Sequence, residues 1–246
     1  MRKLLLSITL LLLSFSSVGI PITDFEYTVF EFNTSPVPDD LVDTEEDVFI
    51  PDVPEKKDLG QIAIDYYNLK EINPETVGWI NIPNVCYLPI MYSGDQKYLH
   101  LDVYGNYLYS GTLFMGSNSN GNFENMALIY GHHMKDGTMF AGLKQYKNEA
   151  FFNNNGLIEV FDGSYLYRYK VYTIFNIVDG EEFINQDPHE EKVDYFKSLY
   201  ERSFVKGEEP DDYNTQMLFF QTCDYLGYDN CRLVVGSYLI DKVSVD

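Results

Sequence analysis

"LIEVFDGSYLYRYKVYTIFNIV", residues 157–178, sets two β-rich runs on either side of Asp162-Gly163. That pair tolerates the positive φ of a tight turn, so the stretch predicts a β-hairpin. In the second run Tyr165, Tyr167 and Tyr169 alternate with Leu166, Arg168 and Lys170, which puts the tyrosines on one face of a strand. A tyrosine stripe of period two reads as a packed or half-exposed sheet face in preference to a ligand platform.

Working outward, the flanking segments carry the same β character. "GWINIPNVCYLPIM" (78–91) is short, apolar and interrupted by Pro83 and Pro89, as strands at a barrel or sandwich edge are. "NMALIYGHH" (125–133) predicts a strand ending at two histidines. "QMLFFQTC" and "RLVVGSYLI" predict two buried strands around a loop with Asp224, Gly227 and Asp229. Two helices interrupt the pattern. Leu59, Ile62, Tyr66 and Leu69 recur at helical spacing before Asn73-Pro74. "DPHEEKVDYFKSLYERSF" (187–204) has Asp187 as N-cap, Pro188 in the first turn, Glu190 three residues after the cap, and Val193, Phe196, Tyr200 and Phe204 on one face.

At 246 residues the chain suits one catalytic-size domain with a leader. Arg2 and Lys3 precede an almost uncharged apolar run to Ile22, which predicts an export element over 1–22. Its length favours a retained membrane anchor with the two cations inside, although Ser17-Val18-Gly19 offers small residues for cleavage. Residues 23–58 are acidic and carry Pro36, Pro38, Pro51 and Pro54, the composition of a solvated stalk. The folded domain is then 59–246. A formal charge of −21, much of it in the stalk, disfavours partners held through phosphates, nucleic acid above all.

Candidate chemistry centres on Cys223 and Arg232. If 216–222 and 232–240 are neighbouring strands, the two residues share one end of a sheet, on the order of 5–10 Å apart. An arginine there stabilises a thiolate and can donate to an oxygen that develops negative charge. A cysteine nucleophile also needs an imidazole. Among His100, His132, His133 and His189, the strand-ending pair is the better candidate, and strand alternation lets only one of the two face Cys223. Bland readings compete: a cysteine at a strand end is usually a small buried hydrophobe, and Cys223 and Cys231 could be disulfide-bonded, leaving Cys86 as the odd thiol. The histidines and cysteines lack CxxC or HxxxH spacing for zinc, and "SNSNGNFEN" (117–125) lacks the acidic register of a calcium loop.

Three blocks, "NPETVGWINIP" (73–83), "IYGHHMKDGTMFAGLKQY" (129–146) and "QTCDYLGYDNCRLVVGSYL" (221–239), occur in an order that resembles the class B sortases, cysteine transpeptidases of the outer face of Gram-positive membranes. The similarity spans roughly residues 59–240. It implies a mainly β fold with flanking helices: a closed sortase-type barrel of about eight strands, an N-terminal helix and a helix inserted before the last two strands. It also implies roles: Cys223 as nucleophile, His132 as the histidine directly after Gly131, Arg232 as oxyanion partner, and Asp224 as the carboxylate that orients the histidine. His133 stands where the family usually has Asn, "LFFQTC" where it usually reads "TLSTC", and Cys231 beside the arginine is unusual.

The reaction so implied cleaves a C-terminal sorting motif at Thr–Gly and joins the acyl group to an amine of a cell-wall precursor or a pilin lysine, without a cofactor. Partners would be sorting-signal-bearing surface proteins or pilins, and the membrane through the leader. Two alternatives stand beside it. One is a secreted, non-catalytic binding or adhesion module on the same barrel, its Cys223 structural. The other, a papain-like hydrolase, is disfavoured because His132 precedes Cys223.

Overall fold

At the Asp162–Gly163 turn the backbone does what the sequence requires. Gly163 has φ +99°, and a Cβ there would lie 2.7 Å from the Tyr66 ring. The Asp162 carboxylate accepts hydrogen bonds from the backbone N–H groups of Ser164 and Tyr165 at 2.8 and 2.7 Å, which closes the turn. It joins β5 (Leu157–Phe161) to β6 (Tyr165–Val178), paired antiparallel. Tyr167 and Tyr169 are buried and stacked inside the barrel, so the stripe is core, while Tyr165 at the strand's start remains exposed.

The structure is a computed structural model and describes residues 58–116, 119–178, 192–224 and 231–245, with positions 192, 223 and 224 given as backbone. The leader 1–22 and the stalk up to residue 57 lie outside the described residues, as do Asp187, Pro188 and Glu190. Among the described residues no helix is long and apolar enough to cross a membrane.

The remaining strands are β1 (Thr76–Ile82), β2 (Cys86–Met91), β3 (Leu113–Met115), β4 (Met126–Tyr130), β7 (Met217–Asp224) and β8 (Cys231–Ser244). They close into a barrel in the order β1-β2-β3-β4-β7-β8-β6-β5. Closure gives every strand two neighbours, but β2 meets β3 only at Ile90 and Met91, so the part of β2 before them keeps the edge character read for 78–91 from its prolines. The prolines are accommodated locally: Pro83 lies in the turn between β1 and β2, and Pro89 pairs with Trp79 where β2 has not yet met β3, whose pairing begins at Ile90. Two pairs, β2/β3 and β4/β7, are parallel. Parallel neighbours cannot be joined by a tight turn, so long crossovers follow β2 and β4, and the first of these matters below.

Helix α1 (Leu59–Ile72) begins at Asp58, whose carboxylate accepts from the Gln61 N–H at 2.9 Å, so the last residue assigned to the stalk is a helix cap. It buries Ile62, Tyr66 and Leu69, the first two packed with Tyr87, Phe161 and Leu166 on the outside of the barrel. A short α2 (Glu149–Asn154) is capped by Asn148. Helix α3 (Lys192–Glu201) precedes β7 and packs Phe196 and Leu199 over Phe175, Phe219 and Val234. Each such aromatic or leucine, fully buried, stabilises by about 1.5–3 kcal/mol over its exposed state. Leu199 takes the place expected for Phe204, which lies beyond the helix and is 55% exposed, because the chain leaves helical geometry after Glu201.

Candidate active site

In the barrel order β7 lies between β4 and β8. The antiparallel register of β7 and β8 sets position 223 directly opposite Arg232 and position 224 opposite Cys231. Directly opposed residues of an antiparallel pair share a sheet face, so the predicted Cys223–Arg232 juxtaposition exists at the level of register. On the other side Tyr130 pairs with Gln221, and the Gly131 N–H extends the ladder by donating to the Gln221 carbonyl at 3.2 Å. His132 therefore leaves β4 beside the end of β7 at which position 223 lies. Strand spacing puts β4 and β8 on the order of 10 Å apart across β7.

Close packing holds this end of β4. Gly131 has no room for a side chain: a Cβ would lie 2.5 Å from Leu113 and 2.6 Å from Phe140. The His132 carbonyl accepts from the N–H of fully buried Phe140 at 2.9 Å. Between them "HMKDGTM" turns tightly. Gly137 has φ +82°, and the Asp136 carboxylate accepts from the Thr138 N–H and hydroxyl at 3.0 and 2.7 Å. His133 forms an isolated bridge with Met139, so the two histidines have different environments.

The half-buried His132 ring meets the β2–β3 crossover. Its Nε2 lies 3.0 Å from the Leu99 carbonyl oxygen. A carbonyl only accepts, so Nε2 carries the proton in that contact and Nδ1 is the nitrogen left for proton exchange. The crossover is anchored from behind. Buried Tyr98 donates its hydroxyl to Glu75 Oε2 at 2.5 Å and accepts from Asn73 Nδ2 at 2.8 Å, while Lys97 Nζ bonds Glu75 Oε1 at 2.8 Å. Burial, and then the Glu75 carboxylate, push the Tyr98 phenol up to about 12. Lys97 and Tyr98 hold the Glu75 carboxyl below its usual range. A cavity of about 250 Å³ opens here between the end of α1 and the crossover, lined by Asn73, Glu75, Tyr98, Leu101 and Tyr104 among others; neither His132 nor Arg232 lines it.

Arg232 is part-buried, and its Nη1 donates to the Cys231 carbonyl at 3.4 Å. Cys231 is a free, half-exposed thiol, so the disulfide considered between it and Cys223 is not formed. Nor is Cys86 an exposed odd thiol: it is 4% exposed within the core, and burial pushes its ionisation far up, which leaves it inert. Three neighbours of His132 escaped the sequence reading: Leu99, His100 and Tyr109. They lie 33 residues or fewer before it in the chain, with β3 and β4 between, and no local periodicity marks such a contact.

A family model described as the Sortase domain matches residues 80–240. Among solved structures, Clostridium perfringens sortase B is 30% identical with TM-score 0.66, over 71% of this chain and 99% of that one. Sortase B of Bacillus anthracis, complexed with AAEK1, is 27% identical with TM-score 0.62, over 71% and 83%. A Staphylococcus aureus sortase B–substrate complex is 22% identical with TM-score 0.65, over 73% and 86%, a likeness of fold. No curated protein sequence matches.

Proposed function

We infer the chemistry from one premise: this chain belongs to the sortase family, as a class B member, and is a cysteine transpeptidase. We propose that Cys223 is its nucleophile, His132 its general acid and base, Arg232 its oxyanion partner and Asp224 an orienting carboxylate. The Cys223 thiolate attacks the threonine carbonyl of a Thr–Gly bond, and the carbonyl oxygen takes the electron pair. Arg232 and backbone N–H groups hold that oxyanion. Collapse expels the glycine amine, which leaves with a proton from His132, and a thioester to Cys223 remains. An acceptor amine then attacks the thioester, His132 takes the proton back, and the thiolate departs. One peptide bond is broken and one amide is formed.

The observation that supports Cys223, His132 and Arg232 is the strand order β4-β7-β8, with position 223 opposite Arg232 and beside the strand end that leads to His132; Asp224 rests on the resemblance alone, because its position pairs with Cys231 on the other face of β7. The donors of the acyl group are surface proteins or pilins with a C-terminal sorting signal. The acceptor is an amine of a cell-wall precursor or a pilin lysine, and the chain works outside the membrane, held by residues 1–22.

A peptide library containing Thr–Gly, incubated with the protein and read by mass spectrometry, tests the first half-reaction. The expected result is an acyl adduct on the peptide that carries residue 223, absent in Cys223→Ala. An adduct that survives Cys223→Ala sinks the assignment. The second half-reaction is read with a pilin subunit: SDS-resistant ladders indicate lysine as acceptor, and diglycine adducts without ladders indicate the cell wall.

A further inference from the structure

His132 is met by more than a carbonyl. Its ring centroid lies 5.5 Å from that of His100 at an interplanar angle of 30°, and 6.1 Å from that of Tyr109 at 15°. His100 and Tyr109 are themselves 6.4 Å apart at 29°, and Tyr107 extends the cluster at 6.2 Å from His100. Both contacting rings come from the crossover between β2 and β3, and that segment has its own framework. The Asp102 carboxylate accepts from the N–H groups of Tyr104 and Asn106, both at 2.8 Å. Leu101 bridges Tyr107, the Leu108 N–H donates to the His100 carbonyl at 3.0 Å, and the Thr112 N–H and hydroxyl close on Tyr98 and Leu101 at 2.9 Å each. The rings are thus presented by a braced loop.

We propose that His100 and Tyr109 are positioning residues that clamp the plane of the His132 imidazole, so that Nδ1 is held toward the reacting atoms while Nε2 stays on the Leu99 carbonyl. The inference rests on the reading of His132 as general acid and base. Its physical basis is access. A side chain that must hand a proton to a leaving amine has to be reachable by substrate, so burial is not available to fix its rotamer. A single hydrogen bond at Nε2 fixes one point of the ring and leaves the ring free to tilt about it. Parallel aromatic faces remove the tilt and leave the ring edge open. Tyr109 is 66% exposed, as a clamp at the rim of an open groove must be. Two such contacts together bias the ring orientation by roughly tenfold, and misorientation of a catalytic group by about an ångström costs up to about a hundredfold in rate.

The test uses the full chain in detergent with ¹⁵N-labelled histidine, comparing His100→Ala, Tyr109→Ala and His100→Phe. The last variant keeps the ring face and loses only the 3.4 Å contact between His100 Nδ1 and the Tyr109 carbonyl. In wild type and His100→Phe, His132 should give a single Nε2-protonated tautomer. In the two alanine variants the tautomers should average. With a Thr–Gly peptide that acylates the protein and hydroxylamine as acceptor, the alanine variants should lose about tenfold in kcat with KM within twofold. His100→Phe should retain most of kcat.

A wild-type His132 spectrum and kcat in both alanine variants overturns the clamp. So does His100→Phe falling as far as His100→Ala, because the imidazole nitrogen and not the ring face would then matter. His132→Ala retaining full turnover would instead overturn the general-acid reading, whatever the spectra give, so the two failures are separable.

Discussion

Arg232 and His132 carry different demands on geometry. A guanidinium offers a planar fork of donors to an oxyanion, whereas lysine offers a point charge on a flexible stem. Arg232→Lys should therefore lower the single-turnover acylation rate by about a hundredfold or more, the scale of losing one oxyanion donor, with the thermal midpoint unchanged. Acylation within a fewfold of wild type would remove Arg232 from the oxyanion role. At this scale the sequence made legible that positions 223 and 232 share one end of a strand pair, because two strands joined by a loop bring their ends together. The choice of His132 over His133 came only from the resemblance: spacing along one strand end could not separate them. The structure gives them different partners, Leu99 and Tyr109 for one and Met139 for the other.

The element that matters most beyond the strands is the crossover from β2 to β3. It exists because β2 and β3 are parallel, and the chain must travel back along the barrel before it can pair again. Gly111 is its hinge into β3. With φ +56° and a would-be Cβ 2.4 Å from the Leu99 carbonyl oxygen, it leaves no room for alanine. That oxygen is the acceptor for His132. Gly111→Ala should cost at least about 1 kcal/mol in denaturant unfolding and should also depress acylation by displacing the carbonyl. Gly94→Ala is the internal control. Gly94 has φ +76° but open space around its Cβ position, so that variant should carry backbone strain with acylation intact. Equal effects of the two on acylation would mean that the Leu99 carbonyl is not what Gly111 protects. Helix α1, the hairpin and both last strands were legible as elements, since each rests on local periodicity or a local turn. The crossover's role was not, because its contacts to His132 are set by strand order.

For the molecule as a whole, several tyrosines are fully buried, and that gives a pH signature. Tyr146, Tyr169 and Tyr172 are fully buried, and desolvation raises their ionisation well above the ordinary value. In the unfolded chain they ionise near pH 10. Groups whose folded values are raised contribute stability that is complete below about pH 10 and is lost as the pH climbs through the folded values. Alkaline titration followed at 295 nm should therefore show a set of tyrosines that ionises only together with loss of the far-ultraviolet circular dichroism signal. Complete ionisation with an intact dichroism spectrum would contradict the burial of these rings.

By itself the sequence determined the β character, the helical periodicity of the two main helices, the hairpin turn and the shared end of positions 223 and 232, because periodicity and turn chemistry act over a few residues. Only the tertiary structure decided that β7 lies between β4 and β8, that Cys231 is a free thiol and that Tyr167 and Tyr169 face the core. It alone brought His100 and Tyr109 onto His132. The reason is that non-local pairing depends on how the whole sheet closes, and closure is a property of all eight strands at once.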